Sequence, residues 1–471
     1  MRGNAAPGLR ARTSPTLDCG TQVAAVVHSR FFLYGRLALQ RFASLRAFRH
    51  RNFRRFWLGA FVSNVGTWME TIAIGVWVTQ TTGRGGWTAT VAALVYLPAL
   101  VLGPLGGAIA DRRDRRQLVA WLTWAQLLLA ATLAALALLG RLSLPAVSVL
   151  AFLSGCANAL LAPVSSALLS ELVPREDLLS AVSLSSAQYN LGRIVGPGLA
   201  ALVMAAGGLG AAFAVNALSF VAVMVAVATV QLPTPEPRPP GNLLAEIRTG
   251  IRVAHEDAGI RTALWLTFAV GALVAPFIGL LPVFAIKDLG RGASGTSLLA
   301  TAQGVGAVGA AFLAGSLAER WGRRRLLARA STALAVLAAL YWLSPNFGLA
   351  VVGISLLGAA YLTTLSTLSS TCLSRVSRLL QARVASLYGL VLSTSYGLGL
   401  LALGWGGDHF GLRQVMVAAA LGCLAVVAVL KRRGGFSGVD APARFLGTPT
   451  PLMTLAHVPG PDPVEEVRLE G

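Results

Sequence analysis

Two stretches, GAIADRRDRR at residues 107–116 and GSLAERWGRR at residues 315–324, decide how this sequence reads. Both fit the pattern G-x-x-x-[DE]-R-x-x-R-R, and their leading glycines stand 208 positions apart. Each lies between two apolar runs of about 20 residues, long enough for a helix to cross a hydrocarbon layer about 30 Å thick. A charged motif recurring at that distance in the same setting marks a duplicated unit of several membrane spans.

Outward from the two motifs, twelve apolar runs can be read: 56–79, 87–110, 117–139, 145–168, 180–205 and 209–230, then 262–285, 294–317, 325–344, 347–371, 384–405 and 410–430. Between the sixth and seventh stands LPTPEPRPPG, residues 232–241, whose five prolines forbid helix and make it a linker. The following NLLAEIRTGIRVAHEDAGIR spaces Leu243, Leu244, Ile247 and Ile251 at helical intervals with Glu246, Arg248 and Arg252 between them. That is the pattern of a helix lying along a membrane surface. The expected fold is an all-α membrane protein with twelve transmembrane helices in two pseudo-symmetric six-helix bundles. Its divisions are an arginine-rich leader (1–46, partly disordered), a first bundle (47–231), the linker and amphipathic helix (232–260), a second bundle (261–430) and a disordered cytoplasmic tail (431–471).

Composition agrees with this reading. Of 471 residues, 55% are hydrophobic and 12% charged, with a mean hydropathy of +0.67. Soluble domains carry about 25% charged residues, so an ordinary cytosolic enzyme is excluded. The formal net charge of +20 comes from 39 basic residues, all arginine except Lys287 and Lys431, against 19 acids. With the N-terminus inside, the external loops hold Arg84, Arg141, Lys287, Arg291 and Arg413, and Arg193 lies within a span. The other 33 fall on the internal side. This is the positive-inside asymmetry, and it predicts a multi-pass protein of the inner membrane with both termini in the cytoplasm. A nucleic-acid-binding protein would gather its arginines on one face, whereas these are spread over leader, internal loops and tail. The leader lacks an apolar core before a cleavage site, so no cleaved signal is expected. Cys19, Cys156, Cys372 and Cys423 have no paired spacing and indicate neither a zinc site nor a disulfide framework. The motifs G-x-x-x-x-G-K-[ST], H-E-x-x-H and G-x-S-x-G are absent, so no ATP-hydrolysing loop, enzyme chemistry, cofactor or metal is expected.

The loop motif resembles the signature of the major facilitator superfamily, G-x-x-x-D-R-x-G-R-R. The first copy has Asp114 in place of that pattern's second glycine, and the second has Glu319 in place of its aspartate. SNVGTWMETIAIGVWVTQTTG (63–83), NLGRIVGPGLAALV (190–203) and QARVASLYGLVLSTSYGLGLLALGWGGDHFG (381–411) resemble the branch of enterobactin-exporter and macrolide-efflux-like transporters, the transmembrane secretion effectors. The resemblance covers about residues 47–430. It implies a monomeric secondary transporter, working by alternating access, that exports an amphipathic small molecule of the drug or siderophore class in exchange for protons. Substrate would bind between the bundles near the midplane. An importer or uniporter on the same fold, or a membrane anchor that has lost transport, stays open.

By the same likeness, Gly107, Asp111, Arg112, Arg115 and Arg116, with Gly315, Glu319, Arg320, Arg323 and Arg324, latch the two halves on the cytoplasmic side when the transporter faces outward. The glycines would let helix ends pack closely, and the acids would meet arginines or a helix N-terminus. Gly192, Gly196, Pro197 and Gly198 resemble the Gly-Pro motif of drug/proton antiporters, although Ala200 and Ala201 stand where the fuller pattern has glycines. Pro197 removes a backbone bond and bends the helix there.

Of the 19 acids, Glu70 alone lies deep in a span, about 14 residues in, or ~21 Å at 1.5 Å per residue. A carboxylate at that depth needs pairing, hydration or a proton. Arg193 sits at comparable depth in the fifth span, which runs in the same direction. Glu70 and Arg193 are therefore expected to face a central cavity, with Glu70 exchanging protons against substrate. The alternatives are a static ion pair between them, or a Glu70 already in external water. Asn64, Gln188 and Gln303 are further candidates for lining the cavity, while Gln126, Asn158, Asn190 and Asn216 read as interhelical packing groups. Asp408 and His409, at the external end of the eleventh span, receive no role.

Overall fold

The computed structural model describes residues 45–112, 114–230, 243–441 and 443, and among them it is helical throughout, with no strand. A single 3-10 turn, Arg46–Arg49, leads into α1 (Arg51–Thr82). There follow α2 (Gly85–Tyr96), α3 (Ala99–Arg112), α4 (Arg115–Leu138), α5 (Leu144–Leu169) and α6 (Leu178–Thr229). The second part holds α7 (Leu243–Glu256), α8 (Ala258–Leu273), α9 (Phe277–Val283), α10 (Ala293–Trp321) and α11 (Arg323–Trp342). It ends with α12 (Phe347–Ser374), α13 (Arg378–Phe410), α14 (Leu412–Arg432) and the short α15 (Ser437–Asp440). Nine stretches among the described residues are long and apolar enough to cross a membrane, whereas α1 and α11 fall short of that measure.

Breaks in these helices have local causes. At Gly208 the backbone turns to φ 71°, ψ −170°, a conformation only glycine adopts cheaply, and α6 becomes two arms running in different directions. Pro98 separates α2 from α3, and Pro276 stands at the head of α9. Within the helices, hydroxyls are satisfied by back-bonding. Thr67, Thr71, Thr79 and Thr82 of α1 each donate to the carbonyl four residues earlier, at 2.7–3.0 Å. A polar α1 can thus sit among apolar neighbours without stranded donors.

The principal partner of α1 is α6; α4 also packs on α6, α10 on α12, and α11 on α12 and α14. Two main contacts join helices before residue 231 to helices after 242: α2 with α13, and α6 with α10. Small residues make the close crossings: a Cβ at Gly59 would lie 2.8 Å from the Ala222 carbonyl oxygen, and one at Gly155 would lie 2.6 Å from that of Val95.

An ion pair ties the starts of two helices together in each part of the chain. Asp177, just before α6, forms an ion pair with Arg46 (Nε to Oδ1 3.1 Å) and lies 2.8 Å from the His50 ring, both just before α1. Asp257 caps α8 by accepting from the Ile260 N–H (2.9 Å) and pairs with Arg375, just before α13, at 2.6 and 3.0 Å. The geometry is shared and the signs are exchanged. Arg375 also donates to the carbonyls of Val439 and Ala441, both at 2.9 Å. Residues 433–441, assigned to a disordered tail by the sequence reading, therefore belong to the fold, because a buried guanidinium needs their oxygens. The expectations for the rest of the tail, the leader before residue 45 and the linker lie outside the described residues.

Candidate functional site: a central cavity between the two halves of the chain

A cavity of roughly 1240 Å³, counting space open to solvent, lies among α1, α2, α4, α5 and α6 on one side and α9, α10 and α13 on the other. Glu70 and Arg193 both line it, as do Trp68, Gln303 and Tyr396. Pro197 lines it too, one residue after Gly196, whose added Cβ would lie 2.6 Å from that of Trp68 and 2.8 Å from the Val65 carbonyl oxygen. Gly192 similarly faces Asn64, at 3.2 Å, and Gly198 has only the Thr301 hydroxyl nearby, at 3.7 Å. In this motif, Gly192 and Gly196 serve the crossing of α1 with α6. Gly196→Leu is expected to cost about 1–3 kcal/mol of stability, read by thermal unfolding in detergent.

Glu70 and Arg193 form no ion pair among the described contacts. Instead Asn216, on the second arm of α6, donates from Nδ2 to Glu70 Oε2 at 2.6 Å. The Asn216 oxygen accepts from Ser219 (3.2 Å), which fixes the amide's orientation. Arg193 lies over the rings of Trp68 and Tyr361, at 5.4 and 5.9 Å from their centroids. Its Nη2 is buried without a hydrogen-bond partner, and so is Gln303 Nε2. Tyr96 and Tyr396 meet edge to face across α2 and α13, with ring centroids 4.8 Å apart.

Asn64 and Gln188 are not among the lining residues. Asn64 is six residues before Glu70, which turns it about 120° away from the Glu70 face, to where α1 meets Gly192. Gln188 is five residues before Arg193, rotated by about 140°, and is buried off the cavity. Gln126 and Asn158, read from the sequence as packing groups, do line the cavity; Gln126 accepts from the Ser154 hydroxyl at 2.9 Å. Asn216, read from the sequence as an interhelical packing group, does bond across helices, although a lone polar residue does not declare its partner.

The repeated loops hold helices within each half. Asp114 caps α4, accepting from the N–H groups of Arg116 (2.8 Å) and Gln117 (3.2 Å). Its counterpart in the second copy, Gly322, turns the chain at φ 75°. One solution uses a cap and the other a left-handed glycine, which gives the departure at Asp114 a physical reason. Arg115 bonds Glu171 (2.5 Å), just past the end of α5; Arg323 correspondingly bonds the hydroxyl of Ser374 at the end of α12. Arg116 caps the last carbonyls of α6, Val227 (2.9 Å) and Ala228 (2.7 Å). Glu319, Arg320 and Arg324 are exposed, and a Cβ at Gly315 would meet nothing within 4 Å, so close packing at that glycine does not occur here. The side chains of Asp111 and Arg112, and the surroundings of Gly107, lie outside the described residues.

At the opposite end the halves are joined. Asp408 accepts from the N–H groups of Gly85 (2.7 Å) and Gly86 (2.8 Å), the first residues of α2. Trp405 donates to Thr90 (3.1 Å), and Lys287 donates to the Gly83 carbonyl (2.7 Å). Asp408 stands in the last turn of α13, where its own helix dipole disfavours a carboxylate, so its charge is better placed on the N-terminus of another helix. That conflict was the available signal in the sequence. Toward the motif end, a Cβ at Gly103, Gly309 or Gly389 would meet nothing within 4 Å, whereas one at Gly106 would lie 3.0 Å from the Leu160 carbonyl oxygen, where α3 packs on α5. At the Asp408 end, then, the two parts of the chain are tied together by hydrogen bonds.

Among solved structures, a bacterial homologue of the human lysosomal transporter Spinster, inward-facing and unoccupied, aligns with a TM-score of 0.68. It is 15% identical and covers 83% of this chain and 97% of its own. A D-xylose–proton symporter aligns with a TM-score of 0.63 at 14% identity, covering 80% and 96%. These likenesses are of fold alone. The chain belongs to the transmembrane secretion effector family, whose profile matches residues 42–441. Macrolide efflux protein A of Streptococcus pyogenes is 24% identical over 389 residues, 80% of this chain and 94% of that protein. The uncharacterised MFS-type transporter YkuC of Bacillus subtilis is 23% identical over 251 residues, 51% and 58% of the respective chains.

Proposed function

We propose that this protein exports an amphipathic small molecule, of the drug or siderophore class, across the inner membrane by alternating access and in exchange for protons. The observation that carries the reading is the cavity. It draws its walls from both halves of the chain and holds Glu70 as the one carboxylate among its described lining residues. Twelve spans follow when α6 is counted as two at Gly208 and α1 and α11 are added to the nine stretches that meet the apolar measure. The likeness to macrolide efflux protein A supports export, and the placement of 33 basic residues on one side supports cytoplasmic termini. In that orientation the Asp408 end is external, and its bonds between the halves are those of a conformation closed to the outside.

The repeated arginine loops then act in the alternate state. When the cytoplasmic end closes, Glu319, Arg320 and Arg324, exposed here, gain partners across the halves, with Gly107, Asp111 and Arg112 beside them. A latch of a few kcal/mol suits an equilibrium that substrate and protons must tip. Glu70 carries the proton and Arg193 the opposing charge, with Gln303 beside them and Gly192, Gly196, Pro197 and Gly198 letting α6 bend against α1.

The external seal gives a prediction. Asp408→Asn keeps the shape and removes the charge from two charge-assisted bonds, so closure weakens by about 1–2 kcal/mol. The outward-open population should rise roughly five- to thirtyfold. A cysteine placed at Ala92 in a cysteine-free background should react correspondingly faster with an impermeant maleimide added outside. The export reading itself is tested by expressing the protein in a host sensitised to toxic compounds and measuring their accumulation. Lower accumulation of at least one amphipathic compound is expected, and an unchanged panel contradicts the reading.

A further inference from the structure

Arg193 is a fixed cation with nothing to answer its in-plane donors. It is 8% exposed, and among the described contacts it has no carboxylate, carbonyl or hydroxyl acceptor; its contacts are the faces of Trp68 and Tyr361. The rings stabilise the positive charge but cannot take its N–H groups edge-on. Nη2 is left buried without a partner, and a stranded donor of this kind carries its full desolvation cost. Glu70, the obvious counter-charge, is turned to Asn216.

Gln303 repeats the situation from the facing helix. It is 3% exposed, lines the same cavity, and its Nε2 also lacks a partner. The two residues belong to one crossing: a Cβ at Gly304, next to Gln303, would lie 3.4 Å from the Arg193 carbonyl oxygen. Two buried, unsatisfied donors from opposite halves therefore border one cavity, and neither group can lose its N–H by ionisation near neutral pH.

We propose that Arg193 and Gln303 form a subsite for the carboxylate of the transported molecule, so that the substrate is an amphoteric amphiphile rather than a simple cation. A carboxylate is planar, takes an arginine edge with two oxygens, and has lone pairs left for an amide N–H. The Trp68 and Tyr361 rings beside the guanidinium then contact the apolar body next to the carboxylate. This inference rests on the transport reading above. An anion alone would add a like charge to the cavity that holds the Glu70 carboxylate, which opposes exchange. An amine on the same molecule removes that conflict, because it competes with the proton at Glu70 while the carboxylate occupies Arg193. The subsite joins a helix of the first half to one of the second, so its occupancy registers whether the halves are together at this level.

The test is binding to purified protein in detergent, which does not depend on transport. Norfloxacin carries a carboxylate and a secondary amine on a fluorescent ring system, and its methyl ester keeps the amine and loses the anion. The acid is expected to bind about tenfold more tightly than the ester. Arg193→Gln should bring the acid down to the level of the ester in the same variant, and Gln303→Leu should narrow the difference. Equal binding of acid and ester by the wild-type protein, including no saturable binding of either, overturns the subsite with no variant needed. So does a preference for the acid that survives in a folded Arg193→Gln protein. An arginine-dependent preference without pH-driven movement of norfloxacin would keep the subsite and count against the transport reading. pH-driven movement of other compounds without the preference would do the reverse.

Discussion

Glu70→Gln is expected to abolish pH-driven accumulation of substrate while leaving the protein folded and still able to exchange substrate for substrate. Glutamine keeps the size of the side chain and an oxygen that accepts from Asn216, whose Nδ2 lies 2.6 Å from the native carboxylate. Packing between α1 and α6, set by the glycine crossings at Gly192 and Gly196, does not involve the carboxyl charge. On the proposed scheme the substitution removes the proton site and the counter-charge of a substrate amine, so exchange is read at saturating substrate. A variant that loses both exchange and accumulation would show Glu70 to be structural or substrate-binding only. One that keeps full pH-driven accumulation would remove Glu70 from the coupling scheme.

Asp257→Ala should be the most destabilising single change, by about 3–5 kcal/mol, because it leaves the Arg375 guanidinium buried without its counter-ion. The loss should appear as a lower unfolding temperature in detergent. Replacing both partners with apolar residues, as in Asp257→Leu with Arg375→Met, should recover much of it. The pair also predicts a pH dependence. Burial alone pushes the Asp257 carboxyl up, but the Arg375 guanidinium and the N–H groups of Ile260 and Gly259 outweigh it and hold it below the ordinary carboxylate value. A carboxyl lowered in the folded state contributes stability that is complete above its unfolded value and is lost as pH falls through the folded one. Acid should therefore narrow the gap between wild type and Asp257→Ala, and neutral pH should restore it.

Hydropathy and the repeated loop made most of the fold legible, because length and charge asymmetry are properties of single segments. The same signals were silent wherever function depends on two segments meeting. Asp408 was readable as a carboxylate at the wrong end of its helix, yet nothing in the sequence named Gly85 and Gly86 as its acceptors' source of N–H groups. Asp257 and Arg375 are joined although 118 residues apart, and no sequence pattern links them. Glu70 and Arg193 stood out because a charge at membrane depth is costly wherever it points. Asn64 and Gln188, equally deep, did not reach the cavity, since depth says nothing about which face of a helix a side chain occupies. The repeated motif carried a further lesson at Asp114, where a departure from the family pattern proved to be a helix cap.

The central claim is that an inward proton gradient drives substrate out through the cavity between the halves. Everted membrane vesicles, with the cytoplasmic face outward and an acidic lumen, test it directly. The expected result is uptake of an amphipathic substrate into the lumen that collapses when nigericin dissipates the pH difference and is absent with Glu70→Gln. Uptake that survives collapse of the gradient, or movement of substrate out of the acidic lumen, would contradict the account.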